Sequence, residues 1–348
     1  MELNIQNRLI GSEHEPFIIA ELSANHGGDI ELAKKTIQSA KDAGADAIKL
    51  QTYTPDTMTI DCQNPDFLID EGLWKGRNLY DLYKQAYTPF EWHPELFSFS
   101  QDIGIICFST PFDETAIDLL EDLNTPAYKV ASFELTDHVL LKNIAQTEKP
   151  VIMSSGMATL KEISDAYEVL VGGGTKEIAI LHCVSGYPTE VKYANLNTIS
   201  DLKKNFDCVI GLSDHTISNA AAIASISLGA CLVEKHFILD RNIGGPDSDF
   251  SIEPDQFMEL KKGTTEAWES LGSVNYELKG EEENMVKFRR SIYAVKDITK
   301  GELFNSSNIR RIRPGNGIEP KYFESIVGKK ALKDIEFGTA LSWDMIND

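Results

Sequence analysis

Residues Phe17–Asn25 read FIIAELSAN, a continuous apolar run that ends in polar and charged residues. Runs of the same kind recur seven more times along the chain. They are Ala47–Tyr53 (AIKLQTY), Ile105–Phe112 (IICFSTPF), Ala127–Glu134 (AYKVASFE), Val151–Gly156 (VIMSSG), Ile178–Ser185 (IAILHCVS), Val209–His215 (VIGLSDH) and Cys231–Phe237 (CLVEKHF). Because continuous aliphatic and β-branched runs are typical of strands buried on both faces, we predict eight buried strands.

Amphipathic helical patterns separate these runs. The stretch Asp29–Ala43, for example, places Leu32, Ala33, Ile37 and Ala40 on one helical face. Further helices are predicted over Asp113–Leu123, Thr159–Val171, Ser218–Leu228 and Pro254–Leu271. Strand–helix alternation predicts a parallel sheet, and eight repeats in about 250 residues predict an α/β fold, the closed (β/α)8 TIM barrel. In such barrels the active site lies where the strands end.

The pattern changes after Leu271. Residues 276–288 are charged and contain few apolar residues, which indicates a linker. We therefore expect a barrel domain over residues 1–275 and a second domain over residues 289–348. The last sixty residues alternate short apolar strands with turns, a pattern that predicts a small β-rich domain.

The overall charge excludes several classes of partner. A net charge of −21 argues against nucleic-acid and anionic-membrane binding, because both need a broad basic surface. No run approaches the ~20 apolar residues that span a bilayer, and the first residues lack the apolar core of a signal peptide. Five cysteines, an odd number without C-x-x-C spacing, favour a reducing compartment. We therefore expect a cytoplasmic protein.

One connection is unusually long. About fifty residues, 54–104, follow the second run and include Gly72–Pro89 (GLWKGRNLYDLYKQAYTP). Long loops on the active face of a barrel usually serve function. Aromatic and basic residues such as Trp74, Arg77 and Tyr83 make this insertion a candidate cover for the substrate, and an extra helix on the barrel rim is the alternative.

Two histidines indicate a metal site. His215 ends the seventh run and His236 lies near the end of the eighth, so both imidazoles can reach one divalent ion. Glu234 shares a strand face with His236 and suits either metal ligation or acceptance of a ring N–H. Two imidazoles leave coordination positions open, which favours a catalytic ion such as Mn²⁺ over structural zinc. The alternative is a pair of hydrogen-bonded core histidines.

Two lysines lie inside apolar phrases, Lys49 in AIKLQTY and Lys129 in AYKVASFE. A buried lysine needs a partner, and each suits either an anion or a Schiff base with a carbonyl compound. Hydroxyl residues at neighbouring strand ends favour a site for phosphate and carboxylate, although each one alone is consistent with a loop cap. They are Thr110, Ser132, Ser154, Ser185 and Ser213. Among the carboxylates, Glu21 and Glu134 suit general bases or sugar ligands, and Asp247 is a further candidate.

These residues resemble the sialic acid synthase family over essentially the whole chain. The matching phrases, in the same order and spacing, are IIAELSANHGG, AIKLQTY, FSTPF, AYKVASFE, MSSGMAT, LHCVSGYPTE, GLSDHT, VEKHF and RPGNGI. The resemblance implies a TIM barrel followed by an antifreeze-like (SAF-type) domain. Within the family the insertion is most similar to the branch that makes pseudaminic acid.

The resemblance also implies roles for individual residues. Contacts with phosphoenolpyruvate are implied for Lys49, Thr110, Lys129, Ser132, Ser154, Ser185 and Ser213. Ser185 stands where the family members that make N-acetylneuraminate have an asparagine. His215 and His236 match the metal ligands. Gln51, Tyr187 and Asp247 match sugar-binding positions, and Glu21, Glu134 and Arg313 match catalytic positions. Arg313 would reach the active site of the partner in a domain-swapped homodimer.

The implied reaction condenses phosphoenolpyruvate with an N-acetyl amino sugar and releases phosphate by C–O bond cleavage. It requires a divalent metal, with Mn²⁺ expected ahead of Mg²⁺ or Co²⁺. The expected sugar is 2,4-diacetamido-2,4,6-trideoxy-β-L-altropyranose, which would give pseudaminic acid. The alternatives are an N-acetylneuraminate or legionaminate synthase using another amino sugar, a Schiff-base aldolase using Lys129, and a sugar-binding barrel without catalysis.

Overall fold

Eight parallel strands form a closed barrel in the computed structural model, which describes residues 1–347. The barrel strands are flanked by a short hairpin before them and a two-stranded sheet after them. In chain order the strands are β1 (Leu3–Ile5), β2 (Arg8–Ile10), β3 (Phe17–Glu21), β4 (Ala47–Thr52), β5 (Ile106–Pro111), β6 (Tyr128–Val130), β7 (Val151–Ser154), β8 (Ile178–Cys183), β9 (Val209–Asp214), β10 (Leu232–His236), β11 (Ser291–Ala294) and β12 (Ile309–Ile312). Strands β3 to β10 neighbour one another in sequence order, and β10 closes on β3, so the predicted TIM barrel is confirmed.

Helices connect the barrel strands. In chain order the helices are α1 (Ile30–Asp42), α2 (Pro55–Met58), α3 (Leu79–Ala86), α4 (His93–Ile103), α5 (Glu114–Asp122), α6 (His138–Ala145), α7 (Leu160–Gly173), α8 (Asn197–Asn205), α9 (Ala220–Ser227), α10 (Pro254–Leu271), α11 (Glu282–Met285) and α12 (Phe323–Ile326). Local signals set their starts, as in α1, where the Asp29 side chain accepts hydrogen bonds from the backbone N–H groups of Glu31 and Leu32. All five predicted helices are present within two residues of their expected ends. Among residues 1–347, no helix is both long and apolar enough to cross a bilayer.

The barrel strands are buried on both faces, as their apolar runs predict. On β3, Phe17 and Ile19 point into the barrel interior, whereas Ile18 and Ala20 pack beneath the helices. The same period of two holds for the other strands. The polar side chains that follow the inward-facing apolar residues at the same spacing of two therefore also face inward. They converge at the carboxyl ends of the strands.

The N-terminal hairpin β1–β2 was not predicted. Its residues Leu3, Ile5 and Ile10 are fully buried and belong to the cluster that fills the barrel interior. Because they pack beside Phe17, the first residue of its strand, the hairpin covers the N-terminal end of the barrel. The opposite end, where the strands finish, is left for a site.

The chain divides into two units, Met1–Gly272 and the part that begins at Ser273. In the second unit β11 pairs antiparallel with β12, and isolated bridges such as Ile298 with Ile335 extend this β-structure. Its core is a separate apolar cluster around Ile292, Phe304 and Leu341. The second unit is thus small and β-rich.

Candidate active site

The predicted site residues on the barrel strands all point into the barrel, on the same face as the inward-facing apolar residues that precede them. Glu21 follows Phe17 and Ile19 on β3, and Lys49 follows Ala47 on β4. The corresponding residues on β5, β6, β7 and β10 are Thr110, Lys129, Ser154, Glu234 and His236. All of them are buried, and their shared direction brings them to one end of the barrel.

Lys49 and Lys129 lie in a cluster of four buried charges. Nζ of Lys49 lies 2.7 Å from Oε2 of Glu21 and 3.7 Å from Oε1 of Glu234, and Nζ of Lys129 lies 3.9 Å from Oε2 of Glu234. Burial acts to lower the pKa of both ammonium groups. The two carboxylates raise the pKa of Lys49 above its usual value, whereas that of Lys129 remains lowered. Burial also raises the pKa of Glu21 to about 7, against the opposing effect of Lys49.

Hydroxyl groups surround these lysines. Nζ of Lys49 donates a hydrogen bond to Oγ1 of Thr110 at 3.1 Å, and Nζ of Lys129 donates to Oγ of Ser154 at 2.7 Å. Ser213 lies opposite Glu234 in the register of β9 with β10. Ammonium and hydroxyl donors placed together in a buried site suit an anion such as phosphate or carboxylate.

Gly156 brings two further serines into this region. The Gly156 N–H donates to Oγ of Ser132 at 3.1 Å. A Cβ atom on Gly156 would collide with Oγ of Ser185 and lie 2.7 Å from Oγ of Ser132. Only glycine therefore leaves space between the two hydroxyl groups, and its backbone N–H holds the Ser132 hydroxyl in place.

The two histidines are close enough to share an ion. The ring centroids of His215 and His236 lie 5.4 Å apart with an interplanar angle of 60°. Nδ1 of His215 lies 3.0 Å from the Val184 carbonyl, which can only accept, so Nδ1 carries the proton and Nε2 is the atom that could ligate a metal. Burial lowers the pKa of the His215 ring, but Cys183, whose Sγ lies 3.8 Å from Nδ1, raises it above its usual value.

His236 is the second candidate ligand. Its Nδ1 atom is buried and has no hydrogen-bond partner among residues 1–347. Burial, with His215 and Lys49 nearby, lowers the pKa of His236 well below its usual value, so the ring is neutral, the state that binds metals. An ion held by both rings at about 2.1 Å from each nitrogen is compatible with their separation.

The histidine pair therefore fits a divalent ion with open coordination positions. Within the described residues, no three His, Cys, Asp or Glu side chains lie close enough together to hold a metal alone. Asp247 is a candidate third ligand, with Oδ2 3.9 Å from Nδ1 of His236. A substrate or water would supply the remaining ligands, as in catalytic rather than structural sites.

A hydrogen-bonded chain that includes Ser23 was missed by the sequence analysis. Nε2 of Gln51 donates to Oε1 of Glu21 at 2.8 Å and to Oγ of Ser23 at 3.0 Å, and the Ser23 hydroxyl donates to Asp247. Ser23 is buried with φ of 47°, a left-handed conformation that non-glycine residues rarely adopt. These hydrogen bonds link Glu21, through Gln51 and Ser23, to Asp247, the carboxylate beside His236.

Glu134 takes no part in these hydrogen bonds and lies in the helical turn Ser132–Glu134 after β6. Its Oε2 atom is buried without a hydrogen-bond partner in the described part of the chain. Burial raises the pKa of Glu134 to about 7, although the nearby Lys129 opposes the shift. A carboxyl group with this pKa can exchange a proton near neutral pH.

Aromatic rings line one side of the histidine pair. The ring of Tyr187 lies 4.5 Å from that of His215 and 6.3 Å from that of His236, and Phe250 lies 4.8 Å from His236. Burial raises the pKa of Tyr187, so its hydroxyl stays neutral. Arg313 belongs to the second unit, where it is exposed directly after β12.

Comparison with known proteins identifies the family. The NeuB family profile matches residues 36–276, and the SAF domain profile matches residues 289–347. A pseudaminic acid synthase from Campylobacter jejuni is 44% identical over 330 residues, which are 95% of this chain and 96% of the relative. An N,N'-diacetyllegionaminic acid synthase from the same species is 36% identical over 91% of this chain and 96% of its own.

Solved structures agree with these matches. The N-acetylneuraminic acid synthetase of Leptospira borgpetersenii, crystallised with citrate, is 32% identical with a TM-score of 0.73 over 82% of this chain and 95% of its own. The resemblance inferred from the sequence motifs is therefore confirmed. The chain belongs to the NeuB family, as an enzyme of that family with a C-terminal SAF domain.

Proposed function

We propose that this enzyme condenses phosphoenolpyruvate with 2,4-diacetamido-2,4,6-trideoxy-β-L-altropyranose and water to give pseudaminic acid and phosphate. The sialic-acid-synthase type of reaction follows from the family, and the choice of sugar is supported by the greater identity to the pseudaminic acid synthase. The observation that carries the proposal is the placement of Lys49 and Lys129 with their hydroxyl partners beside His215 and His236.

Phosphoenolpyruvate would bind at the two lysines. Its phosphate and carboxylate need several donors in a buried place, and Lys49, Lys129, Thr110 and Ser154 provide ammonium and hydroxyl groups there. Ser132, Ser185 and Ser213 would complete this set of donors. Charge-assisted hydrogen bonds of this kind are the strong ones, and burial strengthens them further.

The sugar would bind between the anion site and the aromatic side. Gln51, Asp247 and Tyr187 would contact its hydroxyl and acetamido groups, with Ser23 fixing the first two. His215 and His236 would hold a divalent ion, Mn²⁺ by preference, which when bound polarises the sugar aldehyde. These contacts hold the aldehyde carbon near the C3 carbon of phosphoenolpyruvate, where proximity itself lowers the barrier.

The chemistry then follows from the chain's own groups. The C3–C1 bond forms, the aldehyde oxygen takes up a proton, and C2 becomes electron-poor. Water adds at C2 while Glu134 or Glu21 accepts its proton, since both have a pKa of about 7. The bond between C2 and the bridging oxygen then breaks while the new C2 hydroxyl becomes the keto oxygen, and its proton passes to the departing phosphate. Lys49 and Lys129 stabilise the charge of this phosphate.

A homodimer that exchanges its second units would complete the site. Residues 273–348 carry 13 Lys and Arg against 12 Asp and Glu, whereas residues 1–272 carry 20 against 42. The nearly neutral second unit of one copy would therefore meet the acidic barrel of another without the repulsion that two acidic surfaces would have. Arg313, exposed in the second unit, would then add a guanidinium group to the partner's substrates.

Phosphate release from phosphoenolpyruvate tests the proposal across a panel of amino sugars, with and without EDTA. We expect release with the diacetamido-trideoxy sugar, loss of release with EDTA and recovery with Mn²⁺. Faster release with N-acetylmannosamine, or with the sugar precursor of legionaminic acid, would reject the proposed specificity.

A Schiff-base aldolase is the second candidate, because burial lowers the pKa of Lys129 as an amine nucleophile requires. Its ammonium group nevertheless donates to Ser154 and to the Val130 carbonyl, so it acts as a donor in this structure. Borohydride reduction with substrate separates the two functions. A lysine adduct and full activity in EDTA would support the aldolase, whereas the synthase leaves no adduct.

A further inference from the structure

The insertion between β4 and α4 carries a tryptophan in a closed loop. Around Trp74, the backbone N–H of Ile69 donates to the Arg77 carbonyl at 2.9 Å, and that of Gly76 donates to the Ile69 carbonyl at 2.7 Å. Gly72 and Gly76 have φ of 79° and 86°, which only glycine adopts readily. The loop is therefore held by its own hydrogen bonds, and it presents Trp74 in a defined position.

Trp74 reaches the aromatic side of the active site. Its Nε1–H donates to the Pro246 carbonyl at 3.0 Å, in the segment that also contains Asp247. Its ring centroid lies 5.8 Å from that of Tyr187, which in turn lies 4.5 Å from His215. Trp74 thus packs against Tyr187, and Tyr187 packs against the candidate metal ligands.

The chemistry of this contact restricts what Trp74 can recognise. The indole has one polar atom, and its N–H is already used by Pro246. The part left for a ligand is the apolar ring. A hydroxyl group placed against it would lose its hydrogen bonds to water without replacement, whereas a methyl group would lose nothing. The polar groups Gln51, Ser23 and Asp247 are available elsewhere in the site for hydroxyl and amide groups.

We propose that Trp74 determines specificity by packing against the 6-deoxy methyl group of the sugar. This inference rests on the proposed function, because it concerns the sugar of that reaction. The aldehyde carbon C1 must lie near the anion site, and C6 is the carbon furthest from it along the sugar chain. Trp74 packs against Tyr187, which packs against His215, so its ring would meet C6 when C1 lies at the anion site. A sugar with a hydroxymethyl group in place of the methyl group is then disfavoured.

The test compares two substrates that differ only at C6, the diacetamido-trideoxy sugar and its 6-hydroxy counterpart. We expect the wild-type enzyme to prefer the 6-deoxy sugar in kcat/KM by about tenfold or more, the range for one group in an apolar pocket. Trp74→Ala should reduce this preference to near unity through a loss on the 6-deoxy sugar. Trp74→Phe, which keeps an apolar ring, should retain most of it, and the KM for phosphoenolpyruvate should not change.

Trp268→Ala is the matched control. Its Nε1–H donates to the Ser12 carbonyl at 3.0 Å, the same kind of bond, but Ser12 precedes β3 at the opposite end of the barrel. This variant should keep the wild-type preference. Should Trp74→Ala fail to fold, Trp74→Gln removes the ring and keeps a side-chain N–H, and it should also lose the preference.

Four results would overturn the inference. The first three are a wild-type enzyme that turns over both sugars equally, an unchanged preference in Trp74→Ala or Trp74→Gln, and an equal loss of preference in Trp268→Ala. Loss of the preference in Trp74→Phe would do the same, because the ring would then not be the recognising group. A wild-type enzyme that consumes phosphoenolpyruvate with neither sugar would instead refute the proposed function.

Discussion

Lys235 and Asp214 form a fully buried ion pair directly behind the two histidines. Nζ of Lys235 lies 2.7 Å from Oδ2 of Asp214, and their side chains are 0% and 2% exposed. The two residues are partners in the register of β10 with β9, and they immediately precede His236 and His215 in the sequence. Lys235 also donates to the Thr216 carbonyl at 2.6 Å. The pair therefore ties together the two strand ends that carry the candidate metal ligands.

Removal of the lysine from this pair should cost considerable stability. Lys235→Met leaves the Asp214 carboxylate buried without its cation, and such losses amount to about 3–5 kcal/mol in the free energy of unfolding. Urea denaturation measures it. The double variant Lys235→Met with Asp214→Leu should recover much of the loss, because no buried charge is then left unpaired. A loss of less than about 1 kcal/mol in the free energy of unfolding of the single variant would contradict this account, because an exposed ion pair contributes that much.

Substitution of Gly156 should weaken phosphoenolpyruvate binding. In Gly156→Ala the new methyl group fills the space between Ser132 and Ser185. We expect the KM for phosphoenolpyruvate to rise about tenfold or more, since a displaced donor costs roughly 1.5–3 kcal/mol at a charged ligand. The KM for the sugar should change much less.

Gly172→Ala in α7 is the control for the same substitution. A Cβ atom there would meet no atom of residues 1–347 within 4 Å outside its own helix and its chain neighbours. Alanine also favours the helix by about 1 kcal/mol over glycine. This variant should bind phosphoenolpyruvate as the wild type does. Equal KM values in the two variants would show that Gly156 has no part in the anion site.

The pH profile should reveal the general base. Burial raises the pKa of Glu134 to about 7, so a base at this position is mostly protonated at pH 6 and mostly ionised at pH 8. We expect kcat to fall about tenfold per pH unit below 7 and to reach a plateau above it. Glu134→Gln should lower kcat strongly and abolish this dependence. If kcat still falls below pH 7 in Glu134→Gln but no longer does so in Glu21→Gln, the base is Glu21 instead.

The same pKa shift has a consequence for stability. In the unfolded chain Glu134 releases its proton near pH 4.5, whereas the folded protein retains it to about pH 7. The folded state thus binds more protons between these values, and this residue's contribution to stability declines as pH rises from about 4.5 to 7. The free energy of unfolding of the wild type should therefore fall relative to Glu134→Gln over this interval. A constant difference would contradict the shift.

His236→Ala should remove metal binding. We expect the variant to bind Mn²⁺ far more weakly than wild type when free Mn²⁺ is measured by electron paramagnetic resonance, and to lose most turnover. His14→Ala is the control, because His14 pairs with Glu2 at 2.8 Å and lies before β3 at the other end of the barrel. Unchanged Mn²⁺ affinity in His236→Ala would reject the histidine pair as the metal site.

Local sequence patterns were sufficient for the barrel and for much of the site. The run FIIAELSAN has the composition of a buried strand and ends in polar residues, which placed Glu21 at the carboxyl end of its strand. The same reasoning placed Lys49 and His236 at or near strand ends. These side chains converge because parallel strands of one barrel end at the same face, which is a property of the fold class.

Other features depend on contacts between distant segments. Ser23 acquires its place from Gln51 and Asp247, which lie 28 and 224 residues away, and no local pattern encodes such partners. The hairpin β1–β2 has only three residues in each strand, too few for a period to be recognised. Lys235 is likewise explained only by Asp214 on the adjacent strand.

Activity of mixed variants should test the exchanged dimer. Arg313→Ala, which removes an exposed side chain, should lose activity without loss of thermal stability. Mixed one to one with Lys129→Ala under conditions that allow subunit exchange, it should recover roughly a quarter of wild-type activity, because half of the dimers then hold one intact site. Arg310→Ala, also exposed on β12, is the control and should remain active alone. No recovery on mixing would argue against shared sites.

The fate of the bridging oxygen of phosphoenolpyruvate tests the central claim most directly. Phosphoenolpyruvate labelled with ¹⁸O between C2 and phosphorus is incubated with the diacetamido-trideoxy sugar and Mn²⁺, and both products are analysed by mass spectrometry. We predict that the label leaves in phosphate, formed in equal amount with an unlabelled nine-carbon acid. Label retained in the acid, or no nine-carbon acid with any amino sugar, would contradict a barrel site that joins the two substrates by C–O bond cleavage.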